Sequence, residues 1–163
     1  MPRFAFVALL AALSCKGTNA PTASGPPLDV TIVHASYDAH SDTPNVIKEK
    51  CKFHEQVAKA VHAGTPGSSI STGPSTLVLS MVIVTMRGVD PTWEGDSSVI
   101  VRGELRDGGT LRGSFRVRYS AEPGVLGGMA GRCQALDDIA SFMADDIVPW
   151  LRDPAPGSKL GES

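Results

Sequence analysis

The hydrophobic residues of this chain change period along its length, and each change marks an element. Leu28, Val30 and Ile32 lie on one side and Val33 and Ala35 on the other, which suits a strand over 28–37. Asp42-Thr43-Pro44 then offers a helix N-cap followed by proline, after which Ile47, Cys51, His54, Ala58 and Val61 recur at helical spacing until Gly64. The stretch 65–75 is rich in Gly, Ser and Pro and predicts a loop. From Leu77 to Met86 both faces are apolar, so this segment predicts a central strand covered on both sides.

Two further strands follow a turn around Val89-Asp90-Pro91. If Asp107-Gly108-Gly109 is a three-residue hairpin loop, Leu105 faces Leu111, Val101 faces Phe115, Val99 faces Val117 and Glu104 faces Arg112. A two-residue loop sets Leu105 against Arg112 instead, so the three-residue loop is preferred. That register puts Gly103 opposite Gly113 on the inner face, a shallow over which a helix can pass closely. The expected helix runs over 132–152, with Cys133, Leu136, Ala140, Met143, Ile147 and Trp150 or Leu151 as its stripe, and Pro149 is expected to bend or fray its last turn. The order β-α-β-β-β-α predicts an α+β domain over 28–153, a four-stranded mainly antiparallel sheet with two helices on one face. Residues 154–163, rich in Pro, Gly and Ser, are expected to be a disordered tail.

Composition adds the compartment. A chain of 163 residues with 42% hydrophobic and 20% charged residues has the balance of one folded domain, and a net charge of −2 gives no reason to expect nucleic acid as a partner. Before the domain, Arg3 precedes an apolar run from Phe4 to Leu13, too short to span a bilayer and built like a secretory signal over 1–14. The Ala12-Leu13-Ser14-Cys15 stretch resembles the lipobox of bacterial lipoproteins, with Ala12 where that family usually has leucine. The resemblance implies lipidation of Cys15 (palmitate among the acyl chains), a flexible tether over 15–27 and, with Lys16 next, sorting to the outer membrane facing the periplasm. The alternative is ordinary cleavage near Ala20, giving a periplasmic or secreted protein. Setting Cys15 aside leaves Cys51 and Cys133, expected to form a disulfide in an oxidising compartment, with two buried thiols as the alternative. The element order also looks like small two-layer envelope lipoproteins, including the lipopolysaccharide-assembly lipoprotein and the auxiliary lipoproteins of ABC transport systems; this implies a location, not a site.

Candidate chemistry is sparse. His54-Glu55 opens like a zinc-protease helix, but Ala58 stands where the second histidine belongs; His62, His34 and His40 offer no ligand spacing, and no metal or cofactor is expected. Ser68, Ser69 and Ser71 lack a nucleophile elbow. Asp137, Asp138, Asp145 and Asp146 fall on the solvent side of the last helix, and Gly124, Gly127, Gly128 and Gly131 precede it without a phosphate-loop lysine. The distinctive surface is the outer face of the hairpin, where Arg102, Arg106, Arg112, Arg116 and Arg118 point the same way with Glu104 among them. Guanidinium forks suit phosphate and carboxylate, so this face is a candidate for an anionic lipid or an envelope protein, with Ile100 and Trp93 nearby; a solvated sheet face is the plainer alternative. The expectation is a non-enzymatic, membrane-tethered binding or assembly accessory; a carrier of a small hydrophobic ligand is the second reading, and an enzyme built from residues no motif reveals the third.

Overall fold

The computed structural model describes residues 30–65, 77–87, 97–121 and 128–162. The strands are β1 (Val30–Tyr37), β2 (Leu77–Arg87), β3 (Ser97–Asp107), β4 (Thr110–Ala121) and β5 (Ser158–Gly161), hydrogen-bonded in the order β1-β2-β3-β4-β5. The central pairs β2–β3 and β3–β4 are antiparallel, whereas β1–β2 and β4–β5 are parallel. The α+β class stands, but the sheet is five-stranded and mixed rather than four-stranded and mainly antiparallel.

The extra strand comes from the segment expected to be disordered. Ser158 pairs with Phe115 and Leu160 with Val117, so the Leu160 side chain reaches the core. Trp150 Nε1 donates to Ser158 Oγ at 3.0 Å, and the Gly157 amide donates to Ser114 Oγ at 2.9 Å. Composition marked 154–163 as tail, yet a β4 edge offers free backbone groups, and four residues of alternating burial suffice to pair with them.

The first helix divides into α1 (Asn45–Cys51) and α2 (Phe53–Ala63), separated by Lys52 at φ 49°. An unbroken helix turns its sequence stripe, His54 and Ala58, inward. The break re-phases α2 so that Phe53 and Val57 are fully buried instead, together with Val61, which the sequence stripe already included. A left-handed non-glycine residue costs about 1–2 kcal/mol, and burying a phenylalanine returns about 1.5–3 kcal/mol, so burial of Phe53 outweighs helical continuity. Pro44 occupies the N-cap of α1, and no side chain caps it.

The last helix, α3 (Gly128–Trp150), buries Leu136, Ile139, Ala140, Met143, Ala144 and Ile147 along one stripe. Beyond Pro149, the Arg152 and Asp153 amides bond to the Pro149 and Trp150 carbonyls at 3.1 Å, so the chain tightens into i→i+3 turns rather than fraying. The helices lie on one side of the sheet, α2 against β1 and α3 against β4, with α2 and α3 packed together.

The β3–β4 loop is two residues, not three. Gly108 at φ 54° and Gly109 at φ 92° make the turn, Asp107 pairs with Thr110, and a bulge at Arg112 brings Leu105 opposite Gly113, Gly103 opposite Phe115 and Val101 opposite Val117. Beyond the bulge the register is shifted by two residues from expectation, and because side chains alternate with period two, the residues there keep their predicted faces. Leu111, before the bulge, does not: it pairs with outward-facing Arg106 instead of Leu105 and is 43% exposed. Gly103 therefore does not meet Gly113. A Cβ on Gly103 falls 2.2 Å from the Phe115 ring, while one on Gly113 meets Trp150 and Pro154 below 3 Å. The two glycines serve separate close approaches, one for an aromatic ring and one for the end of α3.

Among the described residues, only one face of β2 is covered. Leu79, Met81 and Ile83 are buried beneath the helices, whereas Val78 and Val82 on the other face are half-buried. Their β3 neighbours Arg106 and Arg102 supply aliphatic stems long enough to shield them.

Candidate functional site

The uncovered face of the sheet holds the arginines, because strand alternation sends Val99, Val101 and Leu105 inward and Arg102, Glu104 and Arg106 outward. All five predicted arginines are exposed. Two are engaged at the hairpin tip: Arg106 donates through Nε (3.0 Å) and Nη2 (2.8 Å) to Glu104 Oε2, and through Nη1 to the Gly109 carbonyl, while Arg112 Nε lies 3.9 Å from Asp107 Oδ2. The other three have no carboxylate within ion-pair distance among the described residues. Arg102 pairs directly with Arg116, and Arg116 pairs directly with Lys159 of β5. Three cations thus form a ladder across three strands at about 4.8 Å per strand, with Arg118 beside it. Like charges placed directly opposite one another destabilise a sheet. This arrangement is one that a bound anion relieves.

Lys159 was not among the sequence candidates. Its only signal is the alternation of Lys159 and Leu160, too short to separate from the surrounding Pro/Gly-rich composition. Ile100 lies on the open face opposite Arg118; Trp93 falls outside the described residues. So do Cys15, the segments 1–14 and 15–27, the three serines, Gly124 and Gly127.

Cys51 and Cys133 are joined by a disulfide with Cα atoms 4.9 Å apart, tying α1 to α3. Asp137, Asp138 and Asp145 are exposed on α3; Asp146 instead accepts a 2.7 Å hydrogen bond from the Tyr119 hydroxyl. Burial and then that bond push the Tyr119 phenol up to about 12. His54 is drawn into a small polar junction at the start of α2: its ring lies 5.1 Å from that of Tyr37, over which Lys48 Nζ sits at 5.3 Å. Burial raises the Tyr37 phenol, partly offset by the Phe53 and His54 amides, which lie near its oxygen without the alignment of a hydrogen bond.

Between sheet and helices the space is filled by side chains such as Phe53, Met81, Ile139 and Met143, each at most 1% exposed. A groove of about 470 Å³ lies instead on the solvent side of the helices, lined by Ala60, Ala63, Gly64, Ser141, Ala144 and Asp145 among others. Among the described residues, no helix is long and apolar enough to cross a membrane.

No family model matches the chain, and no curated protein resembles it in sequence. Solved structures do resemble it. A DUF330-family protein of Xanthomonas campestris is similar at a TM-score of 0.53 and 10% identity, over 79% of this chain and 87% of that one. Protein CT253 of Chlamydia trachomatis (TM-score 0.45, 12% identity, 76% of this chain and 96% of that one) and a candidate lipoprotein of Caulobacter crescentus (0.42, 14%, 63% and 85%) are more distant. The Xanthomonas likeness establishes a shared α+β fold with a bacterial protein of that family, and the fold alone.

Proposed function

We propose that this chain is a membrane-tethered envelope lipoprotein whose domain acts as a non-enzymatic binding or assembly accessory for an anionic partner. The observation that carries the reading is the Arg102–Arg116–Lys159 ladder, a set of adjacent cations without carboxylate partners among the described residues, held on a rigid sheet. Arginine forks recognise phosphate or carboxylate oxygens in pairs, and a strand scaffold holds them without further ordering cost. The degenerate lipobox at Cys15 supports the tether, and the fold shared with a Xanthomonas protein is compatible with it. A place in lipopolysaccharide assembly or beside an ABC transport system is the finer form of this proposal. The filled layer between sheet and helices gives no support to the ligand-carrier reading.

The test is intact mass and membrane fractionation of the chain expressed with its own signal, beside a Cys15→Ser variant. An acylated mass in the outer-membrane fraction, lost in the variant, supports the tether. An unlipidated soluble product cleaved near Ala20 refutes it. In vivo crosslinking then addresses the face: if Arg112, Arg116 and Arg118 are replaced together by glutamine and every captured partner persists, the arginine face is not the binding surface.

A further inference from the structure

We infer that the open face of the sheet lies flat against the anionic bilayer that anchors the chain, so that membrane phosphates are the counter-ions of the cation ladder. The inference rests on the tethered reading above and goes beyond it by naming the partner and the orientation.

Three observations converge. The first is charge: the face carries Arg102, Arg106, Arg112, Arg116, Arg118 and Lys159, while among the described residues its carboxylates are engaged, Glu104 by Arg106, Asp107 facing Arg112, and Glu162 accepting from the Ser120 amide. The opposite, helical side is mixed, with Lys50, Lys52 and Lys59 exposed beside Glu49, Glu55, Asp137, Asp138 and Asp145, and so carries no comparable excess of cations. A domain polarised in this way orients in the field of an anionic leaflet with the sheet inward.

The second observation is the texture of the face. Val78, Val82 and Ile100 interrupt the cations, and Leu111 at the hairpin is 43% exposed. A mixture of arginine and aliphatic surface suits a headgroup region, where guanidiniums meet phosphate while their stems and neighbouring aliphatics meet the glycerol and upper acyl layer.

The third is where the tether joins. Val30 pairs with Leu77, and Leu77 pairs with Asp107, so β1 begins at the same end of the sheet as the β3–β4 hairpin tip. Fourteen residues separate Cys15 from Val30, a span of about 50 Å at full extension and about 20 Å as a random coil. The anchor therefore keeps the rim of the cationic face within reach of the leaflet, at an effective concentration in the millimolar range. An acidic protein partner has no such advantage.

The test uses the full lipidated chain reconstituted into vesicles, after intact mass and flotation have shown that it is acylated and vesicle-bound. A nitroxide is placed at Ser80→Cys, on the open face between Val78 and Val82, and in a second preparation at Ser141→Cys on the exposed side of α3. Accessibility to a water-soluble relaxation agent is then measured. In phosphatidylcholine–phosphatidylglycerol vesicles the Ser80 label is expected to be protected and the Ser141 label open, and protection is lost in pure phosphatidylcholine or at high salt. Each cation near an anionic leaflet contributes about fivefold, so R102Q/R116Q/K159Q should shift the face-down equilibrium by on the order of 100-fold while leaving acylation unchanged. Equal accessibility of the Ser80 label in anionic and neutral vesicles, with the chain still anchored, overturns the inference alone. Protection seen only on native envelope membranes also overturns it, in favour of an acidic protein. A chain that neither acylates nor floats overturns the tether reading itself.

Discussion

Replacing Gly103 by alanine tests the hairpin register and the core it builds. A Cβ at this position falls 2.2 Å from two atoms of the Phe115 ring. Optimal carbon contacts lie near 3.5–4.0 Å, so the ring must retreat by about 1.5 Å. Phe115 has little room to do so: it is 3% exposed and stands edge-on to Trp150 with centroids 4.8 Å apart. Overpacking of this kind costs about 1–3 kcal/mol, loss of the aromatic pair about 0.5–1.5 kcal/mol, and the stiffer unfolded chain returns about 0.4–1 kcal/mol. The net expectation is about 2 kcal/mol of destabilisation. With a urea m-value of about 1.5 kcal/mol/M, the midpoint falls by about 1.3 M at unchanged slope. The cycle with Phe115→Ala isolates the cause, because once the ring is gone the added methyl has space and its cost should vanish or reverse. If Gly103→Ala destabilises equally in both backgrounds, or not at all, Phe115 does not lie over Gly103. Glycine facing glycine, as the three-residue loop implied, predicts that null result.

Cutting the chain after Asp153 removes β5 with its Trp150–Ser158 bond and is expected to cost about 2 kcal/mol, read by urea unfolding; a truncation without effect would restore 154–163 to a passive tail. Replacing Cys51 and Cys133 by serine opens a cross-link spanning 82 residues and should cost about 4 kcal/mol, seen as a large fall in thermal midpoint, with little change refuting a stabilising role. The Tyr119 phenol, raised to about 12, remains protonated in the folded chain when its unfolded counterpart ionises near 10. Its contribution to stability is thus intact below pH 10 and lost as pH rises toward 12; Tyr119→Phe should remove that component, and Asp146→Asn should bring the phenolate absorbance transition to lower pH.

Much of the candidate face was legible in the sequence because face depends only on period-two alternation. Arg102, Arg116 and Arg118 alternate with buried Val101, Phe115 and Val117, and this parity survived an error of two residues in register. The loop length itself was not legible: a two-residue glycine turn with a bulge and a three-residue turn preserve the same alternation beyond Arg112, and the fit of Phe115 over Gly103 and the outward turn of Leu111 separate them. Lys159 was hidden for a different reason, since a four-residue edge strand acquires its stability from β4 and has little of its own.

The sequence by itself determined the α+β class, the order of the long elements, the inward and outward faces of β3 and of β4 beyond its bulge, and the stripe of α3, all of which follow from local periodicity. The break at Lys52 was decided by tertiary structure, because a helix cannot signal locally that Phe53 will find a deeper pocket than His54. Tertiary structure also decided the parallel pairing of β1 with β2 and of β4 with β5, for parallel partners meet only after long excursions of the chain. The same holds for the cation ladder: its members stand at positions 102, 116 and 159, and only a shared sheet brings their charges side by side.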